Sequence, residues 1–204
     1  MNHLLTTYEF SITKGSLLVN DAWIICQDYL SSLDWDTTKE RVRLSPEFSH
    51  VKEKTFQTKF GLIKNRVDAL PIELWQQIDE IHDFTWLLYL STCVRHQIFG
   101  DFVLEVVREE YLILQSKLTE DHYRTYLYSK MDDHPEVEQL KENTQVKIRQ
   151  NFMRILSEVG LIHSTRNPKL QGPIMSDYMI NLISKENKLY LKYFLLSDFE
   201  IESL

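Results

Sequence analysis

Residues that make tight turns are scarce in this chain. Its 204 residues include only 5 Gly and 5 Pro, where average usage would supply roughly 14 and about 10. A β-sandwich or barrel needs a turn signal every few residues, and Rossmann or P-loop sites need clustered glycines so that backbone can approach phosphate. The glycines here, Gly15, Gly61, Gly100, Gly160 and Gly172, are far apart and satisfy neither. Long helices joined by short polar links are what remains. The expected fold is all-α: a compact multi-helix globular protein with helix-turn-helix or winged-helix-like elements and at most two short wing strands.

With 43% hydrophobic and 26% charged residues, the chain can bury a core and is not compositionally disordered. Cys26 and Cys93 are too few for a disulfide framework or a zinc site and read as buried thiols in a reducing cytoplasm. The longest aliphatic and aromatic run, Trp86 to Leu90, is far shorter than a membrane helix of about 20 residues. MNHLLTTYEF lacks the basic start and apolar core of a signal peptide. A soluble, cytoplasmic, monomeric protein is expected.

Apolar periodicity predicts a helix over 17–33, capped by Asn20 or Asp21, and a second opened by Asp34 and ended before Pro46. A third runs from about Ser49 to Leu70, with Phe56, Phe60, Ile63 and Val67 on its inner side. Pro71 suits the first turn of a helix over 71–81. Residues 83–95 are apolar nearly all round and read as the most buried helix. Phe99, Phe102, Val103, Val106, Val107, Tyr111 and Leu114 form one stripe, with Asp101, Glu105, Arg108 and Glu109 outside it. Further helices are expected over 119–128, 135–142, 144–159 with a break near Asn143, 176–185 and 188–196. Gly160 is placed to end the 144–159 helix in a left-handed conformation. Pro168, Gly172 and Pro173 make 161–174 two short strands around a loop. Two parts follow: residues 1–70, a helical subdomain with a helix-turn-helix-like pair, and residues 71–204, central buried helices and a winged-helix-like region.

The net charge of -7 conceals a pattern. Residues 34–67 carry eight basic and five acidic side chains, and 141–169 carry six and two, whereas 68–140 carry five and fifteen. Two basic islands flank an acidic middle. On the 144–159 helix, Ile148, Phe152, Ile155, Leu156 and Val159 share one sector, while Lys147, Gln150, Asn151 and Arg154 fall away from it. Cations can neutralise phosphates, and amide side chains can read adenine in a major groove. A short helix before, a tight break and a turn-rich segment after give the order of a winged helix-turn-helix, with Arg166 and Lys169 in the wing. The first island has similar grammar: Lys39, Arg41 and Arg43 on one helix, and Lys52, Lys59 and Arg66 on the next at intervals of seven. A solvated helix surface is the plain alternative for both islands, and for the first it explains the residues equally simply.

GDFVLEVVREEYL (100–112) and HPEVEQLKENTQVKIRQNFMRILSEVGLI (134–162), with SITKGSLL (11–18), Asp34-Trp35 and a helix ending in Arg66 and Leu70, resemble the BrxA family of the bacteriophage-exclusion (BREX) defence systems. The resemblance spans most of the chain and rests on order and spacing. It implies a small helical cytoplasmic protein that binds double-stranded DNA through helix-turn-helix elements, beside a methyltransferase and ATPases, without enzymatic activity. It carries Lys147 and Arg154 over as DNA-contact candidates. The acidic total departs from a typical DNA binder. An adaptor that docks protein on the acidic 68–140 surface is the alternative.

Catalysis finds little support in the residues. None of the seven histidines has HExxH spacing, and no cysteine lies near enough for a zinc pattern. Glu105, Glu109 and Glu110 border an apolar face around Arg108 and read as solvated surface. Asp132-Asp133-His134 reads as a turn and helix cap before Pro135. Tyr123, Tyr126 and Tyr128 lack the arginines a phosphate-transfer nucleophile would need and read as packing. No cofactor, metal or catalytic residue is expected.

Overall fold

The computed structural model describes residues 7–204. These separate into two compact units, residues 14–95 and residues 7–13 with 96–204. The division therefore falls after Arg95 and not at 70, because the apolar helix that follows Pro71 packs on the helices before it.

In the first unit, α1 (Val19–Ser32), α2 (Trp35–Leu44), α3 (Glu53–Val67), α4 (Ile72–Trp75) and α5 (Ile81–Arg95) follow in order. Asp34 caps α2 as expected, accepting from Thr37 N at 2.6 Å. The start of α1 differs from expectation. Leu18 occupies its N-cap with φ 59°, and Asn20 and Asp21 lie inside the first turn, where Asp21 binds Lys59 at 2.6 Å. Residues 49–52 stay outside α3, and α4 is a single turn, so both helices are shorter than periodicity suggests. Trp35 ties three helices together: it stacks on Tyr29 at 3.8 Å, meets Phe60 edge-on and donates to Asp68 at 2.9 Å.

The centre of this unit holds a charge. Arg66 is fully buried and donates to the carbonyls of Ser16 at 2.7 Å and Leu17 at 3.1 Å. Those carbonyls belong to the irregular entry into α1, so the guanidinium supplies the donors that regular secondary structure would.

In the second unit, α6 (Gln97–Phe102) and α7 (Arg108–Leu112) form one helical run through a π-turn at Val103–Val107, closed by Arg108 N–H on the Val103 carbonyl. That extra residue corrects the expected stripe. It advances the register, so Arg108 turns inward and is buried, while Leu114 lies past the helix end with φ 61° and 89% exposure. Arg108 then donates to the Leu196 carbonyl and to Asp198, both at 2.9 Å.

Next come α8 (Glu120–Met131), the single turn α9 (Pro135–Glu138), α10 (Glu142–Glu158) and α11 (Asp177–Asn187), then a 3-10 turn at Lys188–Phe194 and α12 (Asp198–Ser203). The break before α10 falls at 139–141 and not at Asn143, which is inside the first turn. Gly160, at φ 78°, ends α10 as expected, and Leu161 N–H reaches back to the Leu156 carbonyl at 2.9 Å. The expected wing strands reduce to isolated antiparallel bridges, Ile162 with Leu170 and Lys117 with Lys169. A turn at Ser164–Asn167 leaves no length for a longer ladder.

Replacing Arg66 with Leu should lower the unfolding free energy by at least about 2 kcal/mol, since buried carbonyls lose a charged donor; urea denaturation measures it. Asp198 is held below the usual carboxylate range by its hydrogen bond to Lys192 and by Arg108. A carboxyl lowered on folding stabilises above its unfolded pKa, about 4, and loses that effect as pH falls through the folded value. Amide exchange over 198–203 should therefore quicken only under acid conditions below that range, and Asp198→Asn should abolish that pH dependence.

Candidate functional site

The second basic island folds around α10, whose inner side is held by an aromatic cluster. Phe152 sits 5.0 Å from Phe99, 5.1 Å from Phe102 and 5.9 Å from Tyr123 by ring centroids. Ile148, Ile155 and Leu156 complete that side and are fully buried. Tyr123 donates to the Gln145 carbonyl at 2.9 Å and Tyr126 to the Ile98 carbonyl at 2.6 Å, so both tyrosines pack as expected. Tyr128 does not: it is 61% exposed.

A strap from the chain's beginning crosses the back of this arrangement. The Tyr8 phenol donates to Asp101 at 2.5 Å, its ring stacks on His134 at 3.7 Å, and its backbone N–H donates to Glu136 at 2.6 Å. Burial, reinforced by the Asp101 carboxylate, pushes the phenol pKa up and keeps it a donor. His134 occupies the N-cap of α9 as expected, but its side chain caps no backbone N–H: Nδ1 faces Glu136 at 3.2 Å while the ring stacks on Tyr8. Four residues on, the Ile12 carbonyl accepts from Asn151 of α10 at 3.0 Å.

That bond removes Asn151 from the candidate surface. At 100° per residue Asn151 lies only 60° from Ile148, close enough to the apolar sector to be carried inward with it. Lys147, Gln150 and Arg154 are exposed, and neither cation has an ion partner among the described residues. Asn143 joins the same line one turn earlier. Arg149, at the border, pairs with Glu120 at 3.2 Å. Arg166 and Lys169 are exposed on the hairpin after α10. A groove of about 320 Å³ lies between the two, lined by Arg149, Gln150, Met153, Arg154 and Thr165.

The first island folds differently from expectation. Arg66 is buried, as described, and cannot meet a ligand. Arg41 pairs with Asp28 at 2.9 Å, and Lys59 with Asp21. Arg43 pairs with Glu53, donates to the Phe48 carbonyl and lies over the Phe56 ring. Lys39 lies close enough to help lower the Glu53 carboxyl. Lys52 is exposed at the N-cap of α3. Seven-residue spacing could not separate these outcomes, because it gives a cation's position around the helix and not the acid that the neighbouring helix presents.

Sequence reasoning also missed Lys117, which lies far from the wing along the chain and is brought beside Lys169 by the antiparallel bridge. Nothing local in the sequence signals that pairing. Among the acidic residues considered as a metal site, Glu105 pairs with Lys130 and Glu109 with Arg108. Among the described residues no cluster of three potential ligands forms, and no helix is long and apolar enough to cross a membrane. Cys26 and Cys93 are buried and unpaired, and burial pushes the Cys26 thiol up to about 12.

Comparison with known proteins places this architecture. The sequence model of the BrxA family matches residues 6–187. A BREX protein BrxA of Paramagnetospirillum magneticum is 23% identical over 186 residues, covering 90% of this chain and 94% of that one. A BREX protein BrxA of Escherichia coli O9:H4 is 21% identical over 160 residues, covering 78% and 75%. A crystal structure of a Magnetospirillum magneticum protein superposes with a TM-score of 0.76 at 22% identity, over 93% of this chain and 98% of that one, and shares the fold.

Two neighbouring amides test the assignment of α10's faces. Asn151→Ala should cost about 1–3 kcal/mol of stability through the orphaned Ile12 carbonyl. Gln150→Ala should stay within about 0.5 kcal/mol of the parent. Urea denaturation reads both.

Proposed function

The chain belongs to the BrxA family, and from that premise we propose that it is a non-enzymatic double-stranded-DNA-binding accessory protein of a BREX phage-defence system, working in the cytoplasm as a monomer beside the methyltransferase and ATPases. The single observation that carries this reading is the exposed line Lys147, Gln150 and Arg154 on α10, whose cations have no ion partner among the described residues. The order of elements supports it. A helical run (97–112), an extended segment (116–118), α8, the α9–α10 pair and a hairpin follow one another as helices and strands do in a winged helix-turn-helix.

Charge supports it as well. Internal ion pairs occupy much of the first island, whereas Lys147, Arg154, Arg166 and Lys169 remain directed to solvent. Most affinity then comes from phosphate neutralisation, with little base-specific readout. The acidic total is no obstacle, because Debye screening over about 8 Å at physiological salt separates one surface from another.

Fluorescence anisotropy with a labelled duplex tests the proposal. Binding should weaken with salt at a log-log slope near -0.9 per phosphate contact. Lys147→Glu combined with Arg154→Glu should abolish it at moderate salt. Unchanged binding in that double variant removes α10 as the contact surface, and no binding by the parent even at low salt removes the function.

A further inference from the structure

The hairpin after α10 carries a row of cationic and imidazole side chains assembled from three separate segments. Leu118 N–H donates to the Pro168 carbonyl at 3.0 Å and Leu170 N–H to the Ser116 carbonyl at 3.1 Å. That pattern makes Lys117 and Lys169 a non-hydrogen-bonded antiparallel pair, the kind in which side chains stand closest, with Cα atoms about 4.5 Å apart. On the other side, His163 N–H donates to the Lys169 carbonyl at 2.9 Å, and the bridge of Ile162 with Leu170 sets His163 opposite Lys169. Directly opposed residues point to the same face. The alternate positions, Leu118, Ile162 and Leu170, are buried, while Lys117, Lys169 and His163 are all exposed. The three thus line one outward face, with Arg166 at the hairpin's tip between Ser164 and Asn167.

Two like charges directly opposite destabilise a sheet. Here the register forces Lys117 against Lys169, and neither has an ion partner among the described residues. An anion placed between them would turn that repulsion into attraction. We infer that the row Lys117, Lys169 and His163 grips a backbone phosphate of duplex DNA, giving the wing a contact of its own beyond α10. The inference rests on the reading of α10 as a DNA-contact helix. The groove that joins Thr165 of the hairpin to Gln150 and Arg154 sets the wing beside that helix, so a single duplex can meet both. Two ammonium groups and an imidazole N–H match the several acceptor oxygens of one phosphate and read no base.

The test is anisotropy with a labelled duplex over a salt series, using the full chain and the variants Lys117→Gln and Lys169→Gln. Each should weaken binding several-fold, equally for unrelated duplex sequences, and make the log-log salt slope shallower by about 0.9 for a lost phosphate contact. Thermal unfolding without DNA should be unchanged or shifted upward, since one of two opposed charges is gone; a fall in Tm overturns the like-charge argument. Parent affinity and slope in both variants, while Lys147→Glu with Arg154→Glu abolishes binding, overturns the wing contact and leaves α10 standing. No binding by the parent removes the underlying reading instead. Inorganic phosphate added at constant ionic strength should not displace DNA; if it erases the difference between the parent and Lys117→Gln, the row is a free-phosphate site and the backbone contact is overturned.

Discussion

Phe152 fixes what the rest of the second unit can present. Its ring touches Phe99 and Phe102 on α6 and Tyr123 on α8, so two helices grip it. A helix held through one large side chain at its centre has a single rotation about its axis. Once that rotation is set, Lys147, Gln150 and Arg154 must face outward and Asn151 must face in. The surface chemistry of α10 is thus a consequence of an aromatic contact on its opposite side. Burial of such rings contributes more than any surface ion pair here, since aromatic pairs add about 0.5–1.5 kcal/mol beyond their area and exposed ion pairs typically less than about 1 kcal/mol.

Polar groups in the interior divide into those that hold irregular backbone and those that fasten segments. Arg66 does the first for the entry into α1, and Arg108 does it for the turn before α12. Tyr8 and Asn151 do the second, tying residues 8–12 across α6, α9 and α10. Each of these side chains satisfies a carbonyl, carboxylate or backbone N–H that regular structure leaves open. Arginine suits the task because its planar fork reaches two acceptors at once. Two arginines in a basic-looking segment can therefore have opposite fates, one spent on backbone and one left for a ligand.

Much of the fold was legible in the sequence because helices are local. Residue spacing was enough to place α2, α5, α8 and α10 closely and to assign Gly160 its left-handed turn. The misses have particular causes. The π-turn at Val103–Val107 adds a residue to a helix whose spacing looks regular and turns Arg108 inward, and the helix ends at Leu112, so Leu114 never joins the stripe. Leu18 opens α1 in a left-handed conformation, although the side-chain caps Asn20 and Asp21 stand two and three residues further on. The boundary after Arg95 escaped because Pro71 looks like a break, yet the helix beyond it packs back on α1 and α3.

The sequence by itself determined that this chain is helical, that its charge is segregated and that α10 has one apolar and one cationic side, since these follow from composition and a 3.6-residue period. Tertiary structure alone decided which cations remain available. Arg41, Arg43 and Lys59 meet acids from other helices, Arg66 meets backbone carbonyls, and Lys117 is carried to Lys169 from far along the chain. A side chain's partner is set by which elements come together in space, and periodicity along one helix holds no record of that.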